Sequence, residues 1–211
     1  MTTTFWIMVI GLGVLAVISG MLGLGVAFAA VPFLSLFLPD LVHQVQPLTL
    51  LLNGMTALFA TIGFARSGFV DWPKAIGLAA VTTVFAPIGA YFAQRIDGTI
   101  ILYIYFAAAI FLAYSLFRPV KADKEKTENY RLALVLAVPI SVLAGLLGIG
   151  PGFLLMPTLI LVGFEAKHAA GMNAFAVTPP SFSALIPHLG TAVWIPSLTI
   201  SLVPVSYTHL R

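Results

Sequence analysis

Residues 145–157 read GLLGIGPGFLLMP and lie near the middle of a stretch, Leu132–Phe164, that contains no Asp, Glu, Lys or Arg. The stretch has 33 residues, which as a straight helix would span about 50 Å, whereas the hydrocarbon core of a bilayer is about 30 Å thick. A second such stretch, Phe5–Leu38, has 34 residues and also carries central glycines. Because ordinary tilting cannot absorb this excess length, each stretch is predicted to break or turn back at its glycines and prolines.

The composition excludes a soluble protein and several kinds of site. Of the 211 residues, 60% are hydrophobic and 8% are charged, against about 25% charged in ordinary soluble domains. So few charges cannot cover a globule in water, which predicts an integral membrane protein surrounded by the lipid bilayer. The net charge of +3, carried in short connections, is typical of membrane orientation and not of nucleic-acid binding. The absence of cysteine excludes disulfides, thiolate zinc sites and cysteine nucleophiles.

Shorter apolar stretches predict further spans. They are Pro47–Ala65, Ala75–Gln94, Gly98–Phe117 and a long stretch from Ala169 that Gly190 divides in two. The alternation expected of a membrane β-barrel is absent from the sequence. The predicted fold class is therefore an all-α, polytopic membrane protein.

A shift of 125 residues superimposes the two long stretches without a gap and predicts an internal repeat. The coincident residues include Gly20 and Gly145, Gly23 and Gly148, Gly25 and Gly150, Phe28 and Phe153, Pro32 and Pro157, and His43 and His168. We predict two four-segment repeats: a first repeat over 1–117, a cytoplasmic linker over 118–131, and a second repeat over 132–205. By this repeat the second copy would reach about residue 242, so it is predicted to be incomplete, and residues 206–211 can be a non-native tail.

The distribution of Lys and Arg predicts orientation, because these residues are enriched in cytoplasmic connections. If each long stretch crosses the membrane once, the nine Lys and Arg residues that precede the tail divide seven to two between the sides. If each long stretch folds back as a re-entrant hairpin, these residues divide eight to one, and Arg95 is the one residue on the opposite side. Both versions place Arg118–Arg131 in the cytoplasm. The position of the amino terminus, and whether the halves are parallel or inverted, stay open.

The sequence offers little that could support catalysis. All seven carboxylates lie in connections or at the ends of spans: Asp40, Asp71, Asp97, Asp123, Glu125, Glu128 and Glu165. A carboxylate inside a span would have indicated a proton relay or a cation site. The HExxH, GxSxG and GxxxxGK[ST] motifs are absent from the sequence. We therefore predict a protein that is not an enzyme and that has no metal site and no cofactor.

The glycine breaks are the predicted site for a small anion. A helix that restarts inside the membrane directs its unpaired N–H groups and its positive dipole end at the pocket, so no buried Lys or Arg is needed. The candidate residues are Gly23, Gly25, Gly148, Gly150 and Gly152. The alternative is close helix packing through small residues four apart, such as Ser141 and Gly145. Packing glycines alone do not explain stretches of this length, which favours the breaks.

Three polar side chains are predicted to contact the anion. Asn53 and Asn173 lie inside or at the edge of apolar stretches, where an amide must find a partner on another helix or on a ligand. His188 is the deepest titratable group of the second half and could contact an anion as imidazolium. The commoner alternatives to anion contact are that such an amide bonds to another helix and that such a histidine caps a helix near the membrane interface.

Residues 145–157, their first-half copy Ser19–Pro32 and Gly68–Trp72, of the form G-x-V-D-W, resemble the sulfite exporter TauE/SafE family of membrane permeases. The resemblance implies a bacterial-type inner-membrane carrier of small sulfur oxyanions or organosulfonates, with about eight hydrophobic segments in two related halves. We therefore predict a permease or exporter that works by alternating access, and homo-oligomerisation stays open. The alternatives are a non-transporting membrane scaffold subunit and a carrier of an unrelated small solute.

Overall fold

The computed structural model describes residues 3–22, 25–117 and 128–194. Within these ranges the chain forms eight α-helices: α1 Thr3–Leu22, α2 Ala27–Ser35, α3 Gln46–Arg66, α4 Trp72–Ala93, α5 Gly98–Phe117, α6 Tyr130–Leu147, α7 Gly152–Leu161 and α8 Ala166–Leu185. A π-helical turn, Leu41–Val45, leads into α3, and a 3₁₀ turn, Ile186–His188, follows α8. None of the described residues forms a β-strand. The predicted all-α class is confirmed.

Several helices have the length and composition of membrane spans. By these two criteria the segments Leu41–Arg66, Trp72–Ala93 and Tyr130–Leu147 could each cross a bilayer. Large apolar side chains stay exposed on the outside of the bundle, among them Tyr103 and Ile110 on α5. In water such a surface would be unfavourable, whereas lipid tails solvate it.

The second long stretch is broken and folds back on itself. The first of its two helices, α6, ends at Gly148, whose φ of +68° is a left-handed conformation that glycine adopts without steric cost. A second left-handed glycine, Gly150, follows before α7 begins. Helix α7 returns to the level at which α6 begins. The N–H of Asn129, just before α6, donates to the carbonyl of Val162, just after α7, with an N···O distance of 3.0 Å. Both ends of this hairpin therefore lie on the same side of the bundle.

The first long stretch is broken in the same way. Its two helices, α1 and α2, are separated near Gly25, which has a φ of +85°. The fold-back brings α2 against α1, since a Cβ added at Gly11 would overlap the ring of Phe33. Gly23, also predicted to lie at this break, is outside the described residues.

The remaining helices fix the two hairpins relative to each other. Helices α3 and α8 run antiparallel: Asn53 in the first half of α3 bonds to Ser181 near the end of α8, whereas Gly171 near the start of α8 faces the carbonyl of Phe69, just after α3. Helices α4 and α6 run parallel and approach very closely. A Cβ at Gly145 would overlap the carbonyl oxygen of Ala86 and lie 2.9 Å from its carbonyl carbon. Gly145 therefore serves helix packing, whereas Gly148, three residues later in the same motif, serves the turn.

The bundle has two ends, which we name by their features. The linker face contains Arg66, Trp72 and Tyr130, where α3 ends and α4 and α6 begin. The cavity face contains Ala93 and Gly98, where α4 ends and α5 begins. The α1–α2 hairpin opens at the cavity face, because Leu41, shortly after α2, lies against Gly98. The α6–α7 hairpin opens at the linker face, where Asn129 bonds to Val162.

An ion-pair network joins the connections at the linker face. Lys74 contacts Asp71 at 2.9 Å and Glu128 at 2.6 Å, which ties the start of α4 to the segment before α6. Asp71 also caps α4 by accepting the backbone N–H of Lys74. The hydrogen bond from the Lys74 side chain holds the pKa of Asp71 below its ordinary value.

Candidate functional site

The two helices that restart after the glycine breaks meet inside the bundle. The rings of Phe28 on α2 and Phe153 on α7 stack with their centroids 4.6 Å apart and their planes 12° from parallel. Each ring lies three residues after a left-handed glycine, Gly25 or Gly150. The amino-terminal turns of two helices from distant parts of the chain therefore contact each other, as expected where two similar segments face each other.

Neither of these helix starts is capped by a side chain. The capping positions are Val26 for α2 and Pro151 for α7, and neither makes a side-chain hydrogen bond to the helix. The first N–H groups of an α-helix have no acceptor within the helix, so they stay available for an outside group. Each helix start also carries about half a positive charge from the aligned peptide dipoles. An anion between the two starts would be stabilised by both.

Asn53, on α3, lies between the two breaks. A Cβ at Gly25 would lie 3.0 Å from its Oδ1, and a Cβ at Gly150 would overlap its Nδ2. The side chain is buried, with 1% of its surface exposed, and Nδ2 donates to Oγ of Ser181 at 3.0 Å. Its Oδ1 is a buried acceptor with no hydrogen-bond partner in the described part of the chain. The amide therefore lies at both breaks, and its contact with an anion stays a prediction.

Asn173, on α8, lies beside the start of α7. A Cβ at Gly152 would lie 3.2 Å from Nδ2 of Asn173 and 2.8 Å from a methyl group of Val177. The Asn173 side chain is 4% exposed, and its Oδ1 also has no partner among the described residues. Buried polar groups are nearly always satisfied, so two orphan amide oxygens beside two uncapped helix starts indicate a missing hydrogen-bond partner, such as a ligand or water.

Gly148 lies away from Asn53 and is held by α3. Oγ1 of Thr49 donates to the carbonyl of Gly148 at 2.8 Å, and Nε2 of Gln46 donates to the carbonyl of Leu146 at 2.9 Å. In these two bonds the free carbonyl groups at the end of α6 accept hydrogens from α3, which fixes the tip of the hairpin. Gly148 therefore shapes the break, whereas Gly150 and Gly152 border the amides.

Sequence reasoning missed Gln46, Thr49 and Ser181 as part of the site. Gln46, Thr49 and Asn53 recur every three or four residues and so share one helix face. That spacing was a usable signal for a polar face on a buried helix. Ser181 gave no such signal, because its partner lies 128 positions away in the sequence.

His188 is not brought to the glycine breaks. It lies in the 3₁₀ turn at the cavity face, seven residues after Ser181, or about 10 Å along a helix. Its ring is fully buried next to the backbone of Val42. The prediction that His188 contacts the same anion as Asn53 does not fit this position.

A cavity of about 520 Å³ opens at the cavity face. Its polar lining includes Asp40, His43, Gln94, Asp97 and Thr99, and Nδ1 of His43 contacts Asp40 at 2.9 Å. None of the seven predicted site residues that the structure describes lines it. The side chains that face Gly25, Gly150 and Gly152 are all uncharged, so any charge selectivity at the breaks comes from the helix starts.

No group of three or more His, Asp or Glu side chains is close enough to hold a metal ion within the ranges that the structure describes.

Comparison with known proteins gives a family match. The family model described as sulfite exporter TauE/SafE matches residues 7–208. A probable membrane transporter protein of Methanocaldococcus jannaschii is 23% identical over 92% of this chain and 80% of its own length. A probable membrane transporter protein of Haemophilus influenzae is 27% identical over 82% of this chain and 69% of its own length. No solved structure gives a significant match.

Proposed function

The chain belongs to the sulfite exporter TauE/SafE family, and from that premise we propose that it is an inner-membrane permease that exports a small anion, sulfite or an organosulfonate. Membership of this family and the likeness to two membrane transporters make it a membrane transporter. The identity of the solute and its binding at the breaks are the proposal. We also propose that the chain has no enzymatic activity.

The contact between the two helix starts is the observation that carries this proposal. The Phe28–Phe153 stack brings the uncapped ends of α2 and α7 together, and the Asn53 side chain lies between Gly25 and Gly150. Two helix starts supply the equivalent of about one positive charge without a buried Lys or Arg. A neutral pocket of this kind can release its anion more readily than a pocket with a fixed cation, which suits a carrier.

The fold-back of both long stretches supports alternating access with inverted halves. The first hairpin opens at the cavity face and the second at the linker face, so the halves enter the membrane from opposite sides, as in other inverted-repeat transporters. Rocking of one half against the other around the Phe28–Phe153 contact would expose Asn53 to each side in turn.

The same fold-back supports an orientation. With two re-entrant hairpins, eight Lys and Arg residues belong to the linker face and Arg95 alone to the cavity face. Basic residues are enriched on the cytoplasmic side, so we propose that the linker face is cytoplasmic and that the amino terminus and the cavity are outside.

The experiment is uptake of radiolabelled sulfite, with methanesulfonate as competitor, into vesicles that contain the purified protein. We expect saturable uptake that Asn53→Leu lowers at least ten-fold, because the variant removes the amide at the breaks and keeps the branched shape of the side chain. Thr61→Val is the matched control, as it removes a buried hydroxyl that bonds only to the carbonyl of Ala57 on the same helix.

Both alternative functions predict a different result in this assay. A scaffold subunit or a carrier of an unrelated solute would give no sulfite uptake above that of empty vesicles. Normal uptake by Asn53→Leu would refute the location of the site at the breaks.

A further inference from the structure

The Asn53 amide is held in one orientation by a short hydrogen-bond chain. Oγ of Ser181 donates its hydrogen to the carbonyl of Val177 at 2.8 Å, so towards Asn53 this oxygen can only accept. It accepts Nδ2 of Asn53 at 3.0 Å. The amide oxygen is therefore turned away from Ser181 and towards Gly25, at the start of α2.

This orientation places a hydrogen-bond acceptor among donors. Around the two breaks the helix starts offer N–H groups, whereas Oδ1 of Asn53 and Oδ1 of Asn173 are buried acceptors with no partner among the described residues. A solute that only accepts hydrogen bonds would leave both oxygens unsatisfied and would place its own negative oxygens against them. A solute that also donates one hydrogen would satisfy an oxygen that otherwise costs free energy.

We propose that the site selects an anion that carries one acidic hydrogen, such as a monoprotonated sulfur or phosphorus oxyanion, over an anion of equal charge that carries none. This inference rests on the proposed function, since it names the class of anion bound at the same site. Ser181 acts as a positioning residue, because it fixes the amide oxygen and does not itself face Gly25.

The test compares two anions of the same shape and charge. Methylphosphonate at mildly acidic pH is a monoanion with one P–OH group, and methanesulfonate is a monoanion with no hydrogen to donate. Affinities of the purified full chain for both are measured by calorimetry at the same pH. We expect methylphosphonate to bind at least about ten-fold more tightly, because its hydrogen satisfies one buried hydrogen-bond acceptor.

A Ser181→Ala variant tests the positioning role. Without the hydroxyl the amide can rotate and present either end, so the ratio of the two affinities should fall towards one while binding itself persists. Thr61→Val should keep the wild-type ratio. If Ser181→Ala does not fold, the comparison of the two anions on the unmodified chain still decides the proposal.

The outcomes separate this inference from the proposed function. Equal affinities, or tighter binding of methanesulfonate, would overturn the selectivity and leave the anion site standing. Absence of binding by both anions would overturn the proposed function and the selectivity with it.

Discussion

Replacing Gly150 by alanine should show whether the break is built around the Asn53 amide. The added Cβ would overlap Nδ2 of Asn53 and lie 3.0 Å from Oγ of Ser181, in a backbone with a φ of +68°. The left-handed conformation costs a non-glycine residue about 1–2 kcal/mol. Crowding of a well-packed core costs about 1–3 kcal/mol more. We therefore expect Gly150→Ala to lower the free energy of unfolding by about 2–5 kcal/mol and to reduce sulfite uptake at least ten-fold.

Gly68 provides the matched control. It has a φ of +75° and open space around it, so Gly68→Ala has the backbone cost of about 1–2 kcal/mol without the crowding. The difference in the free energy of unfolding between Gly150→Ala and Gly68→Ala isolates the cost of the contact with Asn53. A double variant, Gly150→Ala with Asn53→Ala, should recover part of the crowding cost and depart from additivity by about 1–3 kcal/mol.

The stability and the transport activity of each variant are measurable on the same preparation. Chemical unfolding in detergent gives the stability differences, and vesicle uptake gives the transport difference. The reasoning is refuted if Gly150→Ala loses no more stability than Gly68→Ala, or if the double variant is additive.

Three further predictions concern packing, capping and orientation. Gly145→Ala should lower the free energy of unfolding by about 1–3 kcal/mol through the close α4–α6 approach; an unchanged unfolding midpoint would contradict that close contact. Asp71→Asn keeps an oxygen that can cap α4 and removes the charge paired with Lys74, so it should lower stability by about 0.2–1 kcal/mol at neutral pH. Because the folded pKa of Asp71 lies below its ordinary value, the carboxylate stabilises the fold above that value and ceases to do so as the pH falls through the folded pKa, so unfolding of variant and wild type should converge in acid. As the chain has no cysteine, an impermeant maleimide added to intact cells should label Arg95→Cys and not Ser67→Cys; the reverse pattern would invert the proposed orientation.

The positions of the breaks follow from the sequence alone because they depend on local quantities. The number of apolar residues in Leu132–Phe164 exceeds what a bilayer can hold, and glycine is the residue that accepts a positive φ. Gly25, Gly148 and Gly150 all adopt that conformation. The neighbouring Gly145 has the same sequence signature and a different role, and only its helical backbone and its close approach to Ala86 in the structure distinguish it from Gly148.

Some of the site residues could likewise be predicted from local sequence, whereas others depend on tertiary contacts. Asn53 and Asn173 could be proposed because an amide in an apolar stretch requires a partner. His188 met a similar criterion and yet lies at the cavity face, since the chain continues beyond Ser181 for two further turns before it reaches the histidine. Ser181 and Thr49 bond to residues about a hundred positions away or more, and no local pattern reports such a pairing.

The sequence by itself determined the membrane class, the helical class and the places where the two long helices must open, because hydropathy, length and backbone freedom are properties of each segment. The tertiary structure decided that both openings fold back, that Phe28 meets Phe153, and that one amide lies between two left-handed glycines. Those features depend on which surfaces pack together in the assembled bundle, and packing is decided by the fit of distant segments to one another.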